Sequence, residues 1–306
     1  MPLPKIIKNT FNVKPREKIL IITDKKKLKI ANNFYLACKK LSRHVKIILK
    51  PAGKYNGEEP PKRIADEMKK FDIVLALTTH SITHTKARIN ACKSGARIAT
   101  LPGITEKMLR QSMLANPKEL EKDSKKLVKL LRNKKIIRVI TKNGTDIIFS
   151  AKNRKIEPDV ANIRKKGAYG NLPAGEVSFS PLEGSANGSI VIDSMEDYAK
   201  PRTAVFVLRG SAVSISDEKC KLAKAFRTIK NSRNIAELGI GINKKAKLIG
   251  KILQDEKVLG TCHIAFGNNK SYGGNVYSEV HLDCIIKKPT IIADNKTIMK
   301  DGKPLF

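Results

Sequence analysis

Two histidines and three carboxylates stand in short apolar runs, where a chain seldom leaves ionisable groups without a use for them. In Glu279-Val-His281-Leu-Asp283-Cys-Ile, a strand period of two puts Glu279, His281 and Asp283 on one face and Val280, Leu282 and Cys284 on the other. An imidazole and a carboxylate at that spacing can converge on one cation. His263 interrupts Thr261-Cys-His-Ile-Ala-Phe-Gly267 in the same way, Glu237 interrupts Ala236-Glu-Leu-Gly-Ile-Gly241, and Glu176 interrupts Gly175-Glu-Val-Ser-Phe179. Taken singly, His263 also suits a hydrogen-bonded core histidine, and Glu176 and Glu237 also suit ion pairs with lysines. Taken together, the four segments offer enough donors for one divalent metal with an open position, or for two metals sharing a bridging carboxylate.

Other constellations carry less. His80 and His84 stand four residues apart at a strand-to-helix passage, a spacing that suits a metal on one helix face. No carboxylate lies near them, and Ser81, Thr83 and Thr85 read better as helix caps. The first strand is followed by Thr23-Asp24-Lys25 rather than a glycine-rich loop, and the Gly-x-Gly at 239–241 meets Lys244 where a third glycine is needed. Nucleotide binding therefore has no motif support. The five cysteines are scattered with no Cys-x-x-Cys pair, which fits a reducing cytoplasm and excludes a disulfide framework or a cysteine zinc cage.

The chain has 306 residues, 61 of them Lys or Arg and 28 Asp or Glu, for a net charge of +33. Such a surplus invites a nucleic-acid-binding, non-enzymatic reading. Its distribution argues against one. Residues 1–150 hold 35 basic and 12 acidic side chains, whereas residues 171–199 and 271–286 contain no Lys or Arg at all and still keep carboxylates. Aromatics make up 5%, Trp is absent, and Lys outnumbers Arg, the profile of a solvated coat more than of base readout. Nucleic acid is thus a disfavoured partner, and the two windows are where chemistry is expected. Apolar runs such as Ile73–Leu77 fall far short of the ~20 residues of a membrane span, and the basic N-terminus lacks the apolar stretch of a secretory signal. A cytoplasmic protein without membrane partners is expected.

The elements that must position these residues fall into two textures. Up to about residue 115, apolar strand runs (Lys18 to Asp24, Val45 to Leu49, Asp72 to Thr78, Ala96 to Leu101) alternate with helical spacing at Leu28 to Leu41, near Ile64 and Met68, and from Lys86 to Lys93. That alternation implies βαβ units and a Rossmann-like parallel sheet. A charged amphipathic helix over 117–133 links this half to a β-rich remainder, in which helix is expected only near 216–230 and 244–252, with hairpin tips at Asn295-Lys296 and Asp301-Gly302. The expected architecture is an α/β N-terminal domain over 1–134 followed by a β-rich α+β catalytic domain over 135–306.

Four blocks carry a family resemblance. Gly170-Asn-Leu-Pro-Ala-Gly-Glu176-Val, running on through Pro181-Leu-Glu-Gly-Ser-Ala-Asn-Gly188, resembles the signature of the thermophilic-type metalloaminopeptidases of the aminopeptidase T family. Ala236-Glu237-Leu-Gly-Ile-Gly, Gly260-Thr-Cys-His263-Ile-Ala-Phe-Gly-Asn and Val280-His281-Leu-Asp283 resemble further blocks in the same order, and Arg88 to Gly103 is also similar. The resemblance implies a homodimeric two-domain hydrolase with two divalent metals (Zn, Co or Mn) held by Glu176, Glu237, His263, His281 and Asp283. Its substrates are peptides with a free N-terminus, whose first peptide bond is hydrolysed by a metal-activated water with Glu176 or Glu237 as general base. Tyr272 is the nearest counterpart of a family tyrosine ligand, in a shorter loop. A second branch of the superfamily, the dihydroxypyridine dioxygenases, resembles the same site and uses one Fe(II). For that ring-cleaving chemistry His263, His281 and Asp283 suffice as a two-His-one-carboxylate set. Glu176 and Glu237 distinguish the branches, since two extra carboxylates suit a second metal and the α-amino group of a peptide.

Overall fold

The protein's structure, a computed structural model, describes residues 2–306 apart from the side chain of Ser271. Strands β1 (Lys18–Thr23), β2 (His44–Leu49), β3 (Ile73–Leu77) and β4 (Arg97–Thr100) alternate with helices α1 (Leu3–Phe11), α2 (Leu28–Lys39), α3 (Lys62–Met68), α4 (Lys86–Lys93) and α5 (Glu106–Arg110). After α6 (Pro117–Leu131) come β5 (Ile137–Ile140), β6 (Asp146–Phe149), β7 (Glu157–Asp159), β8 (Tyr169–Asn171), β9 (Glu176–Phe179), β10 (Asn187–Val191), β11 (Ala204–Leu208) and β12 (Ser211–Ile215). Helix α7 (Lys221–Thr228), β13 (Ile235–Gly241), the short α8 (Ile252–Asp255), β14 (Thr261–Gly267), β15 (His281–Lys287), β16 (Thr290–Ala293), β17 (Lys296–Lys300) and β18 (Lys303–Pro304) complete the chain.

Contacts divide the chain into two units, residues 1–117 with 159–174, and residues 118–158 with 175–306. The first unit holds a parallel sheet of order β2-β1-β3-β4-β8. Its central strands are apolar throughout because both faces are covered, and every residue of β3 is buried. One face packs Leu20, Ile22, Val74, Ala76 and Ile98 with Ile64, Met68, Ala87 and Ala91 of the helices. Thr85 caps α4 by accepting the Arg88 amide, the role its position in the sequence suggests.

The second unit holds two sheets. One has the order β12-β11-β10-β6-β5-β16-β17-β18 and is antiparallel throughout. The other has the order β15-β14-β13-β9-β7, antiparallel from β15 to β9. Among the described residues no helix is long and apolar enough to cross a membrane.

Three expectations are redrawn. The division does not fall at 134/135: β8 pairs in parallel with β4, its Tyr169 ring lies 3.8 Å under the Arg88 guanidinium, and α6 sends Glu119 to Lys244. The segment 244–251 is not helical. Asn243 Oδ1 accepts the amides of Lys245 and Ala246, Asp255 accepts those of Ile249 and Gly250, and these local bonds compete with a helical ladder until α8 begins. The tip of the β16–β17 hairpin is Asp294-Asn295, one residue before the expected position, with Asp294 in the left-handed region.

Candidate metal centre

The sheet β15-β14-β13-β9 brings the five sequence-predicted donors together on one face. Register sets Glu176 opposite Gly241, Gly239 opposite both Ser178 and His263, Glu237 opposite Ala265, Ala265 opposite Asp283, and Gly267 opposite His281. Directly opposed residues share a side of the sheet, so Glu176, Glu237, His263, His281 and Asp283 project from the same side. The remaining positions of that face include Gly239, Gly241, Ala265 and Gly267, small residues that leave room above the backbone. A Cβ at Gly239 would collide with the His263 ring, so the imidazole lies flat across that glycine. Glu279 precedes β15 and is exposed, outside the group.

The donors converge closely. His281 Nε2 lies 3.0 Å from Glu237 Oε2 and 3.3 Å from Asp283 Oδ1. His263 Nε2 lies 3.8 Å from Glu237 Oε1 and 3.7 Å from Glu176 Oε2, so Glu237 spans the two imidazoles. His281 Nδ1 is 2.8 Å from the Asn268 carbonyl, a contact that fixes a proton on Nδ1 and directs Nε2 at the carboxylates, where it carries a proton in the metal-free chain and would offer its lone pair to a metal that displaced it. Tyr272 stacks its ring on His281, centroids 5.1 Å apart. The tyrosine ring thus rests on that of a candidate ligand.

Two residues that sequence reading passed over complete the site. Lys257, 1% exposed, directs Nζ to a carboxylate oxygen of Glu176 and to Glu256 Oε1 at 2.8 Å. Nothing in Gln254-Asp-Glu-Lys257 separates this pair from an ordinary charged loop. The available signal was spacing: Lys257 lies six residues before His263, close enough for a turn to bring it over β14.

Charge is tightly coupled here. Burial alone would raise Glu237, yet hydrogen bonds and charge from His263 and His281 hold it well below the usual carboxylate range. Asp283 is likewise lowered against its burial by His281 and His263. Burial would lower His263, but Glu237, Glu176 and Asp283 push it up to about 9, and Asp283 and Glu237 raise His281 well above an ordinary histidine. Burial pushes Glu256 up to about 8. Glu176 Oε2 and His263 Nδ1 are buried without a hydrogen-bond partner, an arrangement that costs free energy unless a further ligand or cation answers it.

Imidazole and carboxylate donors within 4.8 Å of one another form two groups, Glu176–Glu256–His263 and Glu237–His281–Asp283. Nitrogen and oxygen donors of this kind suit a first-row divalent ion. The residues present therefore fit a metal.

Comparison with known proteins bears on what such a centre does. The structure is similar to that of 2,5-dihydroxypyridine dioxygenase from Pseudomonas putida, with a TM-score of 0.84 at 17% identity over 99% of this chain and 96% of that one. It is also similar to AmpT from Thermus thermophilus, with a TM-score of 0.67 at 15% identity over 99% of both chains. At these identities the likenesses speak for the fold alone. No curated protein sequence matches the chain. Residues 7–305 match one family from end to end, and on that extent the chain belongs to the family described as 2,5-dihydroxypyridine 5,6-dioxygenase.

Proposed function

We propose that the chain is a metal-dependent dioxygenase that opens a hydroxylated aromatic ring, of the dihydroxypyridine class, at a single Fe(II). The observation that carries this reading is the convergence of two imidazoles and Asp283 around Glu237, in a chain of this family. His263, His281 and Asp283 would hold the metal, which when bound would supply redox chemistry toward dioxygen. The chain's own groups prepare it. Asn268 orients His281, Glu237 sets the spacing of the two rings, and Tyr272 supports His281 from its flank. Both atoms of O₂ enter the product, so no external reductant is required.

A second reading, hydrolysis of N-terminal peptide bonds, is favoured by one specific feature. Glu176 and Glu237 are buried carboxylates on the same face beyond the two-His-one-carboxylate set, available to a second metal, to an α-amino group or as general base. Two assays separate the readings. Protein loaded with Fe(II) without oxygen and then given O₂ and 2,5-dihydroxypyridine is expected to consume one O₂ per substrate as ring absorbance is lost. Release of free amino acid from aminoacyl-amides with Co²⁺, Mn²⁺ or Zn²⁺, without O₂ uptake under the first conditions, would overturn the dioxygenase in favour of the peptidase.

A further inference from the structure

The two donor groups on the strand face are not equivalent. Among the described residues, the cationic partners of Glu237–His281–Asp283 that the geometry identifies are imidazoles, His281 at 3.0 and 3.3 Å and His263 at 3.8 Å. An imidazole that gives up a proton becomes a ligand. In the Glu176–Glu256–His263 group a different cation is already in place. The Lys257 ammonium pairs with Glu176 and lies 2.8 Å from Glu256, so it touches both carboxylates of that group. A charged ammonium has no lone pair to offer a metal. It competes for the oxygens that a metal would need.

The backbone delivers this ammonium firmly. The Asn243 amide donates to the Lys257 carbonyl at 2.8 Å, the Lys257 amide donates to Gln254 at 3.0 Å, and Asn243 bridges in parallel to Val258. A Cβ at Gly241 would collide with the backbone of Lys257 and Val258, so that glycine lets the turn lie directly on β13. The lysine stem therefore enters the site from a segment pinned to the same strand that carries Glu237.

We propose that Lys257 is a tethered counter-ion standing in the place of a second metal: it occupies Glu176 and Glu256, so that the one divalent ion of the proposed centre lies with His263, His281 and Asp283, and removal of the ammonium opens a second position at Glu176 and Glu256. The inference rests on this face being a metal centre and sets its metal count, which is what separates a mononuclear oxygenase from a two-metal hydrolase.

The test is a count. Purified protein stripped with chelator is dialysed against Mn²⁺, the metal per folded chain is measured by elemental analysis, and electron paramagnetic resonance reports whether bound ions are spin-coupled. Wild type is expected to hold one uncoupled Mn²⁺ per chain, Lys257→Met two coupled ions, and Lys257→Arg, which keeps the cation, one. One ion in a folded Lys257→Met chain overturns the inference and leaves the single-metal reading intact; two ions in the wild type overturn both the inference and the single-metal reading. No bound Mn²⁺ in wild type removes the metal centre itself, and the inference with it. Where the methionine variant fails to fold, Lys257→Gln, which also removes the charge, is counted in its place.

Discussion

The imidazole of His281 is oriented by a backbone carbonyl, flanked by the Tyr272 ring and faced by two carboxylates, so its loss removes a donor at the centre of the group. His281→Ala is expected to weaken Mn²⁺ binding by at least ~100-fold, and Tyr272→Leu, which removes only flanking support, by roughly 10-fold; equilibrium dialysis measures both. Gly239→Ala would force the His263 ring off its seat and is expected to cost about 1–3 kcal/mol in denaturant unfolding as well as metal affinity. The pH dependence of the metal-free protein follows from the shifts. His263 is raised from 6.5 to about 9, so its contribution is complete below about pH 6.5 and lost as pH rises through 9. Glu237 and Asp283 are depressed, so theirs is present at neutral pH and lost on acidification below their ordinary values. The melting temperature of stripped protein should therefore fall on both sides of a mildly acidic to neutral maximum. Mn²⁺ should remove much of the alkaline fall, because a bound ion replaces the imidazole proton. A flat profile for stripped protein between pH 6.5 and 9 would count against the His263 assignment. The donors themselves were legible in the sequence because each breaks an apolar strand pattern. Lys257 and Glu256 were not, because charged residues in a loop carry no pattern to break.

Among the elements, β15 is the strand through which metal binding should be most visible. It ends the sheet, pairs with β14 on one side, and on the other meets a short bridge in which Ile285 exchanges backbone hydrogen bonds with Asp193 and Ser194 and the Lys287 amide donates to the Asp193 carboxylate. Hydrogen exchange is expected to slow on adding metal at residues 268–283, where a ligand strand and its supporting loop are least tied down, and to change little in β13 and the middle of β14, which are paired on both sides. Uniform slowing over the whole chain would instead indicate global stabilisation. Strands and helices of the first half were legible because buried parallel strands read as unbroken apolar runs, as in Ile73–Leu77. The place of β8 was not, since Tyr169–Asn171 is short and joins β4 across some 70 residues of chain that local periodicity does not span. The absent helix at 244–251 has a local cause, the side-chain bonds of Asn243 and Asp255, which a count of apolar spacing ignores.

At the scale of the whole molecule, a net charge of +33 repels itself in the compact state, so added salt should stabilise it. Raising NaCl from about 20 to about 200 mM is expected to increase the melting temperature by a few degrees, followed by scanning fluorimetry. An unchanged or lower value would show that the lysines are locally compensated. The windows without Lys or Arg hold Glu176, His281 and Asp283, which the fold sets on one sheet face, but a stretch of sequence without cations is not a face without them, because the fold carries Lys257 in from elsewhere. That ammonium also bears on the order of events in the life of the chain. Glu176 and Glu256 meet a cation that is synthesised with them, and Glu237 and Asp283 meet protonated imidazoles, so the buried carboxylates are answered as soon as the strands pair. Folding need not wait on metal supply, so chain made without metal is expected to fold and to take up metal added afterwards without a refolding step.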